Sequence, residues 1–311
     1  MENSQNIKIE EISDIRQSEE WAHCLEIYGW KSFHTSFGSN IEILSTKIGG
    51  FVKIQKPKPL GSKELAEIEK ICKTNKALFI KIEPHLNQDL KLLKDAKYIT
   101  SSSMLSPTLT ILLDLKKSKE ELWKDLSYSA KYSTNRATRE GVYVTFVTNP
   151  DVQTLEQFHQ VYKSTGAVKH FTTMSLNDVK KRVAVFGEQS FLVLCYDKDK
   201  QLVGGKLFLA YKGNVWYIFG GTSAEARKKS KAGYALMWES VLYFKNLGYS
   251  FLDLEGIYDP RFPKFLASWG GFSHFKERFG GIKVEFPVPR VKYLNPVLKI
   301  ISKLYGNRIS L

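Results

Sequence analysis

The order in which helix and strand signals follow one another constrains this chain most. Twice along its length the same order recurs: helix, strand pair with a tight turn, helix, strand, helix, strand. In the first half the pair is residues 42–55, turning at Lys47-Ile48-Gly49-Gly50; in the second it is 202–210 and 215–219 around Lys212-Gly213-Asn214. Such alternation predicts two α/β domains, each a sheet covered by helices, with a cleft between them as the usual place for a site. Asn149-Pro150-Asp151 marks the break, giving a first domain over 1–148, a second over 149–286 and a tail, 287–311, that packs back on the first. A short strand is expected at 7–11 and a short helix at 263–269.

Three capping boxes are expected to start helices: Ser118 with Glu121, Thr154 with Gln157 and Ser175 with Asp178. The first opens one long helix over 118–140, stopped by Gly141. Leu122, Leu126, Ala130 and Ala137 fall on one face of it; Lys124, Tyr128, Lys131, Asn135 and Arg139 fall on the other. That second stripe reads either as a track for a phosphate backbone or as a solvated helix face. A net charge of +14 favours an anionic partner in the same two-sided way, since excess lysine also serves solubility.

Other classes are disfavoured. Cys24, Cys72 and Cys195 are far apart and lie in apolar-periodic segments, as buried small hydrophobes do, and the histidines lack ligand spacing, so no metal site is expected. The polar N-terminus lacks a secretory h-region and no apolar run is long enough to span a bilayer; a cytoplasmic monomer is expected.

Two stretches carry the chemistry. Phe275-Lys276-Glu277-Arg278-Phe279-Gly280-Gly281 sets cations between aromatics, and Trp216-Tyr217-Ile218-Phe219-Gly220-Gly221 ends in a second glycine pair. Read together they form one site, where a lysine beside aromatic rings can meet an anion or an adenine. Read alone, the first is a half-buried strand edge with a solvated lysine. In an extended segment Phe275 and Lys276 would face opposite ways, so a bulge or loop is expected, which the glycines permit. Tyr217, Arg227 and Tyr258, with Arg278 and Gly280, are candidate lining for a phosphate or peptide. His274, Asp253, Glu255 and Asp259 are nearby candidates to accept a proton, as is the substrate itself.

In chain order, Glu20-Trp21, Phe79-Ile80-Lys81-Ile82-Glu83-Pro84, Asp114-Leu115 with Glu120-Glu121-Leu122-Trp123, Lys131-Tyr132 through Arg136-Ala137-Thr138-Arg139-Glu140-Gly141-Val142, Gly220-Gly221-Thr222-Ser223, Trp238-Glu239 and Phe275-Lys276 resemble the FemABX peptidyltransferases. These are the aminoacyl-tRNA-dependent enzymes of peptidoglycan bridge formation. The resemblance implies two tandem domains of acetyltransferase-like (GNAT) α/β fold, an aminoacyl-tRNA donor and a nucleotide- or lipid-linked peptidoglycan precursor as acceptor. It implies no cofactor, a transfer role for Lys276, a place for the tRNA terminus at Phe275, and tRNA contact along Lys124, Lys131, Arg136 and Arg139. The chain departs from the family pattern at Asn135, where an arginine is usual, and at Thr172-Thr173-Met174-Ser175-Leu176, which lacks the arginine and tyrosines that face the precursor.

Two rivals remain open at this point. One is a GNAT-type acyltransferase using acyl-CoA, whose pyrophosphate loop corresponds to Lys228-Lys229-Ser230-Lys231-Ala232-Gly233; Lys231 stands where that pattern has a glycine. The other is a non-catalytic RNA-binding protein of the same fold. A terminal helix with Val297, Ile300, Ile301 and Leu304 among Lys299, Lys303 and Arg308 either covers the first sheet or touches the inner membrane leaflet.

Overall fold

The computed structural model describes residues 9–169, 171–263 and 269–305. They fall into two compact units. The first takes the described residues up to 109, with 259–263 and those from 285 onward; the second takes 110–258 and 269–284.

The first unit holds a six-stranded mixed sheet. Its strands are β1 (Trp30–His34), β2 (Asn40–Thr46), β3 (Gly49–Gln55), β4 (Ala77–Glu83), β5 (Ile99–Thr100) and, from the end of the chain, β13 (Arg290–Tyr293). Their spatial order is β1-β2-β3-β4-β13-β5. The β2–β3 pair is antiparallel and turns where the sequence places the turn, whereas β3 and β4 run parallel around the helix α2 (Ser62–Thr74). Apolar residues from both helix and strands, among them Ile43, Val52, Leu65, Ile68 and Ile80, close a core on that side. Helices α1 (Glu19–Glu26) and α3 (Leu90–Asp95) complete the unit; Ser18 caps α1 by accepting from the Trp21 N–H.

The second unit holds a seven-stranded sheet built on β6 (Leu109–Asp114), β7 (Tyr143–Thr148), β8 (Ser190–Tyr196), β9 (Leu202–Tyr211), β10 (Asn214–Thr222), β11 (Phe251–Asp253) and β12 (Ile282–Glu285). The order is β12-β6-β11-β10-β9-β8-β7, with β10 and β11 parallel. Its helices are α4 (Lys119–Asp125), α5 (Tyr128–Arg139), α6 (Val152–Lys169), α7 (Leu176–Phe186), α8 (Ala224–Lys228), α9 (Ala232–Asn246) and α10 (Gly270–Glu277); a last helix, α11 (Pro296–Tyr305), follows β13. One face of the sheet packs on α6, through Phe158, Tyr162, Leu192, Leu194 and Leu207. The other meets α9, where the Phe208 and Phe244 rings lie 4.9 Å apart.

Several sequence expectations need correction. The break expected at 148/149 lies inside the second unit, because β6 pairs with β11 and so places the chain from 110 to 148 in the second unit. The long helix over 118–140 is two helices: Leu126 is extended (ψ 141°), and Ser127 caps a new start by accepting from the Ala130 N–H. The four apolar positions nevertheless stay buried on both sides of that break. Asp151, not Thr154, caps α6, its carboxylate accepting from the Thr154 N–H at 2.7 Å. Ile9–Glu11 is a 3-10 turn rather than strand, and residues 7 and 8 lie outside the described residues. So does most of the expected 263–269 helix. On α11, Leu298 packs against Leu78, Phe79, Val291 and Tyr293, while Val297 and Ile300 are exposed; the side chains of Lys303 and Leu304, and Arg308, lie outside the described residues. Among the described residues no helix is long and apolar enough to cross a membrane.

Candidate active site

The stretch expected as a bulged strand is the helix α10. Its inward positions are Ser273 and Lys276, with Phe279 next in line just past the helix end, a spacing of three that a strand reading misses. Phe275 and Phe279, four apart, bring their rings to 5.2 Å. Ser273 fixes the helix start: its hydroxyl donates to the Trp269 carbonyl and accepts the Tyr258 N–H.

Lys276 is only 5 % exposed. Its Nζ donates to two backbone carbonyls, Glu255 O at 2.7 Å and Gly256 O at 2.8 Å. Those carbonyls converge because Glu255 (φ +54°) and Gly256 (φ +79°) both take the left-handed conformation. A buried carboxylate holds that turn: Asp253 accepts from the Glu255 N–H and from the Thr110 hydroxyl, and Thr110 Oγ1 accepts from the Gly256 N–H. Lysine has three donors, so two carbonyls leave one over. The Phe272 and Tyr217 rings lie 4.8 and 5.4 Å from the same ammonium. Burial pushes its pKa down to about 8, against the opposing pull of Glu255 and Asp253.

A second buried lysine, which the sequence reading passed over, belongs to the same cluster. Lys206 on β9 points to the α9 side of the sheet and is also 5 % exposed. Its Nζ lies 3.2 Å from the Tyr217 hydroxyl, 4.2 Å from that ring's centre and 5.2 Å from the Phe275 ring. Burial first, and the Lys276 charge second, push its pKa down to about 7. The signal was available: a lone lysine inside the apolar run Leu202-Val203-Gly204-Gly205-Lys206-Leu207-Phe208-Leu209 cannot alternate outward on a strand covered on both faces.

The upstream glycine pair serves this arrangement. Gly220 is opposite Lys206, and a Cβ there would first meet the Gly205 carbonyl oxygen and then stand 2.9 Å from both the Cα and the Cγ of Lys206. Gly221 faces the other way, where a Cβ would meet Thr165 Oγ1 at 2.5 Å and Tyr162 Cα at 3.1 Å. One glycine lets β10 lie against the β9 backbone and the root of the Lys206 side chain, and the next makes room for α6. The register of β9 against β10 shifts between Tyr217 and Phe219, next to the cluster.

The remaining sequence candidates divide. Arg278 donates to the Tyr234 hydroxyl and to His274 Nε2, and Tyr234 and Phe275 rings meet at 5.0 Å, so Arg278 and His274 border the cluster. Tyr258 joins through its backbone bond to Ser273, with its side chain exposed. Arg227 donates to the Thr222 carbonyl at the end of β10. Gly280 (φ +73°) is explained by packing, since a Cβ would lie 2.7 Å from the Asp125 carbonyl oxygen. Asp259 belongs to the first unit, held by Arg261 and the Thr108 hydroxyl. Lys124 and Lys131 stand on α4 and α5, tied by a 3.0 Å bond from Lys131 Nζ to the Lys124 carbonyl. Arg139 is exposed, Arg136 pairs with Glu140 at 3.5 Å, and Tyr128 and Tyr132 are exposed beside them. Lys231 takes φ +57°, so the position where the acyl-CoA pattern has glycine keeps a glycine-like backbone but carries a lysine side chain.

Residues 95–197 match the FemAB family. A search of curated proteins finds no match. Among solved structures the chain is similar to the crystal structure of FemX, at 16% identity, a TM-score of 0.78 and 94% coverage of both chains. It is also similar to L-PGS from Bacillus licheniformis (15%, TM-score 0.60, 90% of both chains). The C-terminal domain of a putative lysylphosphatidylglycerol synthetase from Agrobacterium fabrum matches as well (13%, TM-score 0.63, 95% of this chain and 96% of that one). These likenesses establish the fold: mixed sheets flanked by helices, as in FemX.

Proposed function

We propose that this member of the FemABX family, assigned on its FemAB segment at residues 95–197 and its FemX-like fold, is an aminoacyltransferase that takes its amino acid from aminoacyl-tRNA and delivers it to an amine of a peptidoglycan precursor. The observation that carries the reading is Lys276: a buried ammonium, aimed by two backbone carbonyls, beside the exposed ring of Phe272.

Turning an aminoacyl ester into an amide is downhill and calls for no energy cofactor. It calls for a neutral amine near the ester carbonyl and a positive group where the carbonyl oxygen and the departing ribose oxygen gain charge. The free N–H of Lys276 serves those oxygens; because the ammonium is already fixed and desolvated, little reorganisation is needed when charge develops. The half-buried ring of Phe275 offers a stacking surface for the terminal adenine, worth about 1–3 kcal/mol. Lys124, Lys131, Arg136 and Arg139, with Tyr128 and Tyr132, supply phosphate contacts and stacking for the acceptor arm. Tyr217, Arg227, Tyr258 and Arg278 line the path of the acceptor, and Gly280, expected there too, serves the packing on Asp125 instead.

Mass spectrometry of a nucleotide-linked pentapeptide precursor, incubated with the protein and total charged tRNA, tests this. One added amino-acid residue on the precursor is the expected result. The two lysylphosphatidylglycerol-synthetase-like folds make phosphatidylglycerol vesicles the second acceptor to try. Acetylation of an amine from acetyl-CoA, with nothing moved from tRNA, would instead support the acyl-CoA reading.

A further inference from the structure

Transfer needs a proton acceptor. Asp253 is committed to the Glu255–Gly256 turn and Asp259 to Arg261 and Thr108, while His274 Nε2 accepts from Arg278. We infer that Lys206 is the general base of the transfer, taking the proton from the attacking amine while Lys276 stays charged. The inference rests on the aminoacyltransferase reading above.

The two lysines share a cluster but not an environment. Lys276 donates to two carbonyl oxygens, partners that favour the ammonium. Lys206 meets a phenol oxygen and the faces of two rings, Tyr217 and Phe275, in a buried position on the sheet. The titratable groups that face it are Tyr217 on β10, Cys195 on the neighbouring strand β8 and Lys276 on α10. Cys195 is a buried thiol whose own pKa is pushed up to about 12, so at neutral pH it brings no negative charge. Of two ammonium groups this close, the one with weaker partners releases its proton first. Lysine made neutral by desolvation and a cationic neighbour is an established route to a base or nucleophile near pH 7. Placement agrees with the role: the Lys206 Nζ ends between Tyr217 and Phe275, beside the ring assigned to the tRNA terminus.

The step balances without a further reactant. Lys206, neutral, first takes one proton from the acceptor ammonium and leaves a neutral amine. That nitrogen forms its bond to the ester carbonyl carbon, the carbon–oxygen bond to the ribose breaks, and the nitrogen's second proton goes to the departing ribose oxygen. The net products are an amide, a free ribose hydroxyl and one proton on Lys206 Nζ, which solvent removes.

Two acceptors separate this role from a structural one. The precursor's alkyl amine is mostly protonated at pH 7 and needs a base; hydroxylamine is already neutral there and does not. With charged tRNA as donor, Lys206→Met is expected to lose about a hundredfold or more in rate with the precursor, the range of general-base catalysis, and to flatten the pH profile near 7. With hydroxylamine it is expected to match the parent. Lys206→Arg, which keeps a cation that cannot deprotonate, should follow the same split. Equal losses with both acceptors, or none with either, overturn the inference, as does a parent that reacts with hydroxylamine but with no alkyl amine. A parent that speeds neither reaction refutes the aminoacyltransferase reading itself, which keeps the two failures distinct.

Discussion

Lys276 Nζ lies 2.7 Å from the carbonyl oxygen of Glu255, a residue held at φ +54°. A bulky residue in the left-handed region costs about 1–2 kcal/mol, and the cost is met here by the Asp253 carboxylate and by the lysine itself. Strain of this kind, used to aim two carbonyls at one ammonium, is what a site built to hold a fixed charge requires.

Gly256 follows at φ +79°. Gly256→Ala should therefore cost about 1–2 kcal/mol in denaturant unfolding and misplace the second carbonyl. The same substitution at Gly213, a turn glycine with open space around it and φ +75°, should carry the backbone cost alone and leave activity intact.

Gly221→Ala tests the packing of α6 on the sheet. The added Cβ would meet both Thr165 Oγ1 and the Tyr162 backbone, so a loss of about 1–3 kcal/mol is expected from overpacking. Thermal melting measures it. Restoration by Thr165→Ala should be partial, because alanine keeps the Cβ that would lie 2.9 Å away and the Tyr162 Cα, at 3.1 Å, cannot withdraw.

The buried lysines set a sign for stability against pH. Lys206 and Lys276 titrate near 7 and 8 in the folded chain and near 10.5 when unfolded. Between those limits the unfolded state holds more protons, so stability rises with pH from about 7 to 10.5. Lys206→Met should remove one proton's worth of that slope. Urea unfolding at pH 6.5 and 9 compares the two proteins; an unchanged slope would show that Lys206 keeps its proton.

Contact with tRNA through α4 and α5 predicts a salt signature. Lys124→Glu with Arg139→Glu should weaken binding of uncharged tRNA and flatten its dependence on salt, each lost phosphate contact reducing the slope by about one. Lys276→Met should leave both unchanged. Filter binding from 50 to 200 mM salt, a range where several phosphate contacts are resolved, decides it.

Most of the central strands, the hairpin turns and most helices were legible in the sequence, since apolar periodicity and caps such as Ser18, Ser118 and Ser175 are local signals, whereas β1, β5, β7 and β13 were not expected. Family resemblance singled out Phe275 and Lys276, and in the structure the Lys276 ammonium lies 5.4 Å from the ring of Tyr217, from the other stretch. It was the setting that misled: Phe275-x-x-x-Phe279 fits a helix by its spacing of four, yet flanking glycines suggested strand and bulge. The break at Leu126 was invisible because its side chain stays on the apolar face whether the helix continues or restarts. The domain boundary was missed because β6 joins its sheet through β11, more than a hundred residues later. The apolar run around Lys206 signals its burial, but nothing near it in sequence reports that Tyr217 and Phe275 enclose it.

The most direct test of the central claim is the rate at which an amino acid leaves charged tRNA for the precursor amine, in the parent and in Lys276→Met. The fold should survive, because methionine fills the space of a buried lysine stem without a charge to solvate. The expected result is a loss of a hundredfold or more with tRNA affinity unchanged. Transfer by Lys276→Met at the parental rate would contradict the account.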